Sequence, residues 1–140
     1  MTAVEIAERK SRWRAFAFLF LAVLTAVVIV IVRDDPSNDF TQGIWFGLLV
    51  GCAFNLLPIK RWLRPNSAVL RLVDDEGARE NRRFACTLGF WAATLVALFL
   101  ALVSRVNPAV GGGEVGQTIA TVAIVSAMVA FAILELRAAR

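Results

Sequence analysis

Residues 59–83 read IKRWLRPNSAVLRLVDDEGARENRR, the one long polar stretch in a chain of 140 residues. It carries seven of the fifteen Lys and Arg residues (Lys60, Arg61, Arg64, Arg71, Arg79, Arg82, Arg83) and four of the eleven acids (Asp74, Asp75, Glu76, Glu80). To either side the chain is mostly hydrocarbon, with two apolar runs before the stretch and two after it. A polar segment between two pairs of apolar runs is the pattern of a polytopic membrane protein whose orientation that segment fixes.

Composition agrees. Apolar residues make up 59% of the chain and mean hydropathy is +0.69. The 19% that are charged are gathered at the ends of apolar runs, where lipid headgroups lie. That placement argues against nucleic acid as the partner of a chain with net charge +4. The absence of histidine excludes His-based zinc sites, His-ligated haem and Ser-His-Asp chemistry. Cys52 and Cys86 have no CxxC spacing and read as free, buried thiols rather than a disulfide.

Four spans are expected, at 15–32, 41–58, 84–104 and 116–136, making the chain a single all-α domain. A span needs about 20 residues to cross roughly 30 Å of hydrocarbon. Before the first, Thr2 and Glu5 have capping-box spacing, and Trp13 between Arg12 and Arg14 is an interfacial anchor. In the first connection, Pro36 ends one helix and Ser37, Asn38 or Asp39 caps the next. In the second connection, Pro108 and the glycines Gly111, Gly112 and Gly113 are expected to break any helix.

Small residues recur every four positions in two of the spans. Gly43, Gly47 and Gly51, continued by Asn55, form one stripe; Ala85, Gly89, Ala93, Ala97 and Ala101 form a matching one. Such stripes let backbones approach closely, within one chain or between two, which in lipid is the main source of helix–helix contact energy. Trp91 reads as a packing residue. Glu135, at the last turn of the fourth span, is expected to reach water at the interface rather than pair with a loop arginine, because charge inside hydrocarbon is costly.

Lys and Arg number four before the first span, one and one in the two short connections, seven in the middle loop and two in the tail. Thirteen of fifteen thus share a side, which the positive-inside rule places in the cytoplasm together with both termini. The expected location is the inner membrane of a bacterium. The spans carry no ionisable group away from their edges, and the chain has no P-loop, no GxSxG and no metal-ligand cluster. The expectation is therefore a protein without catalysis, cofactor or metal.

From Asp74 onward acids come first and arginines last, the order a helix dipole favours. Asp74–Arg83 (DDEGARENRR), leading straight into an Ala- and Leu-rich span, resembles small uncharacterised bacterial four-helix membrane proteins. Their element D-E-x-x-x-E-x-x-R before the third helix matches Asp75, Glu76, Glu80 and Arg83, while Gly77 departs from the charged residue often found there. Proteins of that kind are often encoded beside helix-turn-helix or LytTR regulators, and some hold the regulator at the membrane. The resemblance implies a regulatory or sequestering membrane protein with Arg71, Asp74, Asp75, Glu76, Arg79, Glu80, Arg82 and Arg83 as partner contacts. The alternatives are a small permease or channel subunit, dimeric through Gly43, Gly47 and Gly51, or a structural subunit of a membrane complex. The lipid bilayer is a partner under every reading.

Overall fold

In the computed structural model, residues 3–35, 37–56, 76–106 and 111–138 are described, and they form four helices. These are α1 (Ala3–Asp34), α2 (Asp39–Leu56), α3 (Glu76–Val106) and α4 (Gly112–Ala138). Side chains are described at 9, 11–35, 37–56, 77–105 and 111–138. Most of the middle loop, 57–75, lies outside the described residues.

Three of the helices are long and apolar enough to cross a membrane: Ser11–Asp34, Gly77–Arg105 and Gly112–Ala138. The fourth, α2, has 18 residues and so is about 27 Å long at 1.5 Å per residue. It opens on Asp39 and Gln42 and carries Asn55 near its end. The broad outside of the bundle is apolar, with Phe16, Phe20, Phe46, Phe54, Leu95 and Phe99 among the exposed side chains. An apolar surface on this scale marks a membrane protein.

Local chemistry sets the helix ends. Asn38 caps α2: its side-chain oxygen accepts hydrogen bonds from the backbone N–H of Phe40 at 3.1 Å and of Thr41 at 3.3 Å. The α1–α2 connection is therefore shorter than the sequence implied. At α4 the expected glycine break moves upstream, for Gly112 and Gly113 both lie inside the helix. First-turn N–H groups have no intrahelical partner in any case, Glu114 suits the positive end of the dipole, and Val115 N–H closes the turn on Gly111 O.

Helix α4 is the hub. Its broadest contacts are with α3 and α1, and α2 packs on both α1 and α4. Met128, Phe131, Ala127 and Ala132 of α4 meet Ala15, Phe18 and Ala22 of α1, with Cys52 and Leu56 of α2 and Ala85 of α3 closing the core. Phe18 stands edge-on to Phe131 with ring centroids 5.1 Å apart. Contacts between α1 and α4 run antiparallel along both helices: Arg14 against Glu135, Phe18 against Phe131, Arg33 against Thr118. The 19 helical steps from Arg14 to Arg33 rise about 28 Å, close to the thickness of a hydrocarbon core.

The two small-residue stripes do not meet each other. At Gly89 an added Cβ would lie 2.6 Å from Ala123 O and 2.9 Å from Ala127 Cβ, and Ala85 is fully buried, so the α3 stripe is the seam against α4. Further along it, Ala93 and Ala97 are half-buried and Ala101 is exposed. At Gly43, Gly47 and Gly51 nothing among the described residues lies within 4 Å of an added Cβ, so the packing of the described helices leaves the α2 stripe open. Asn55 is exposed and donates to Gly51 O, one turn back in the same helix. The face of α2 used inside the chain is Trp45, Leu49, Cys52 and Leu56.

Two further expectations change. Trp91 is 59% exposed and edge-on to its neighbour Phe90, so most of its ring faces outward. Cys52 is buried as expected, but Cys86 is exposed on α3.

Candidate functional site

The chemistry-bearing side chains gather at one end of the bundle. Because α1 and α4 run antiparallel, Ser11 and Arg14 stand beside Glu135. Because Gly89 of α3 lies against Ala123 and Ala127, the preceding turns of α3, with Arg79, Glu80, Arg82 and Arg83, run toward the same end of α4. This basic end carries Arg9, Arg12, Arg14, Arg79, Arg82, Arg83 and Arg137 among its described side chains, against Glu80 and Glu135. The opposite end carries Arg33 and Arg105 against Asp34, Asp35, Asp39 and Glu114.

At the basic end Glu135 is only 6% exposed, which corrects the expectation of a water-facing carboxylate. Arg14 Nη2 lies 3.1 Å from Glu135 Oε1, and the Ser11 hydroxyl donates to Oε2. The guanidinium also sits over the Phe131 ring, 4.9 Å from its centroid. Arg14 Nε and Nη2 are buried and aligned for no hydrogen bond, so the contact with Glu135 is charge against charge. Desolvating two charges is costly, and the attraction returns that cost only while both partners stay in place. Three side chains of α1 and α4 thereby lock the register of the two helices.

The sequence missed Arg14 and Ser11. The available signal was positional: Arg14 falls one residue before the first apolar run and Glu135 one residue before the end of the last. Helices that begin and end on the same side of a bundle can bring such edge charges together.

The core holds two more polar contacts. Trp45 Nε1 donates to Thr121 Oγ1 at 3.0 Å, and the Thr25 hydroxyl, donating to Leu21 O, lies 3.7 Å from Cys52 Sγ. At the far end Arg33 donates to Thr118 Oγ1 at 2.6 Å. Each contact links two helices, and α4 contributes Thr118, Thr121 and Glu135 to them.

Of the expected partner contacts, Arg71, Asp74 and Asp75 lie outside the described residues. Glu76 begins α3, Arg79, Glu80 and Arg83 are exposed, and Arg82 is half-buried. No group of three or more His, Cys, Asp or Glu side chains among the described residues could hold a metal ion. No family model, no curated protein and no solved structure matches this chain.

Proposed function

We propose that the protein is a non-catalytic, multi-pass protein of a bacterial inner membrane in which α2 is a fourth span and the basic end, with both termini, faces the cytoplasm. It acts as a regulatory or sequestering partner: Arg71, Asp74, Asp75, Glu76, Arg79, Glu80, Arg82 and Arg83 contact a cytosolic protein. The observation that carries this reading is the continuity of α3. One helix of 31 residues joins the charged turns Glu76–Arg83 to the apolar run, so exposed Arg79, Glu80 and Arg83 are held on the helix that carries that run. The asymmetry of charge between the two ends supports the orientation. The contacts Thr25–Cys52 and Trp45–Thr121, which hold α2 at the depth of the apolar parts of α1 and α4, support the fourth span.

The test is photo-crosslinking in living cells from a reactive residue at position 80, with position 99 as a lipid-facing control. A discrete adduct with one cytosolic protein is expected at 80 alone, and reversing the charges of Asp75 and Glu76 should remove it. Adducts unchanged by that reversal would overturn the proposal. A second reading, a self-associating permease, channel or structural subunit, is favoured by the open glycine face of α2.

A further inference from the structure

We propose that the basic end is a binding surface for anionic phospholipid, formed jointly by the start of α1, the start of α3 and the end of α4. The proposal goes beyond the protein partner above, because three of its arginines, Arg9, Arg12 and Arg137, are not among that partner's contacts. The Ser11–Arg14–Glu135 cluster fixes α1 against α4, and in doing so brings exposed Arg9 and Arg12 to the level of exposed Arg137. Arg83 arrives on α3 at the same end.

On two of these helices the basic residue is followed by an exposed aromatic: Arg12 by Trp13 (68% exposed) and Arg83 by Phe84 (57% exposed). A charge above an amphipathic or apolar ring matches a lipid read from phosphate downward into the acyl chain. All the described cations here are arginines, whose planar forks bind phosphate oxygens bidentately. Glu135 is already engaged by Arg14, and the segments at this end carry thirteen Lys and Arg against seven Asp and Glu. The opposite end, with four acids to two arginines, offers no such surface.

The experiment uses the purified full-length chain in vesicles of phosphatidylcholine, alone or mixed with phosphatidylglycerol, and native mass spectrometry of the lipid it retains. Phosphatidylglycerol should be retained in preference, by roughly five-fold for each arginine involved. The triple variant R9Q/R12Q/R137Q should lose most of that preference, while R33Q/R105Q at the opposite end should keep it. Equal retention of the two lipids, an unaltered preference in the triple variant, or equal losses in both variants would overturn the proposal. Inorganic phosphate that displaces the lipid completely would show a site for free anions and would overturn it too. No other protein is present, so failure here is distinct from failure of the regulatory reading.

Discussion

Glu135 shows how little a residue's own neighbours in sequence say about its surroundings. One position from the end of its apolar run it looks free to reach water, yet Arg14 and Ser11, more than a hundred residues away, enclose it. Removing one member of a buried pair strands the other charge, at a cost of about 3–5 kcal/mol. Arg14→Met and Glu135→Leu should therefore each lower the unfolding midpoint in detergent, whereas the double variant should recover most of the loss. A double variant as unstable as the sum of the single ones would mean that the two side chains do not act as a pair. Arg14→Lys should be an incomplete substitute, because a compact ammonium does not reproduce the guanidinium's contact with the Phe131 ring.

At the scale of the helices, two glycines with the same sequence signature play opposite parts. Gly89→Ala would push a methyl group into Ala123 O, which is backbone, and should separate α3 from α4; Gly47→Ala meets nothing and removes a residue that weakens helices by about 1 kcal/mol. Thermal unfolding of the two variants should move in opposite directions, and parallel destabilisation would contradict the packing described. Gly47→Leu, which projects a larger side chain from the same face, should dissociate any oligomer if α2 is a contact between copies. The existence and order of the helices were legible in the sequence, since long apolar runs and their charged ends suffice for that. The facing of each stripe was not legible. Lipid and protein interior are equally apolar, so nothing like the wet–dry alternation of a soluble helix marks which side of α2 or α3 is inside. The outward facing of most of the Trp91 ring has the same origin: a large apolar side chain is as stable against lipid as against another helix. Of the candidate site, the charged turns opening α3 were legible, while the Ser11–Arg14–Glu135 cluster depends on antiparallel pairing that only the folded chain displays.

For the whole molecule, the strongest organising feature is the difference between its ends. A bundle tied by Arg33 to Thr118 at one end and by Arg14 to Glu135 at the other has polar fastenings about one hydrocarbon thickness apart, with an apolar girdle between. Only one end is basic, and the regulatory reading and the lipid surface both use that end, the first requiring it to face the cytoplasm. The most direct measurement of this orientation is labelling of intact cells with a membrane-impermeant thiol reagent. Single cysteines would be placed at Asp35 in the α1–α2 connection, at Ser67 between α2 and α3, and at Arg140, in a background with Cys52 and Cys86 replaced by alanine. Labelling from outside is expected at position 35 alone, with 67 and 140 reached only after the cells are opened. Labelling of 67 or 140 in intact cells would contradict this orientation.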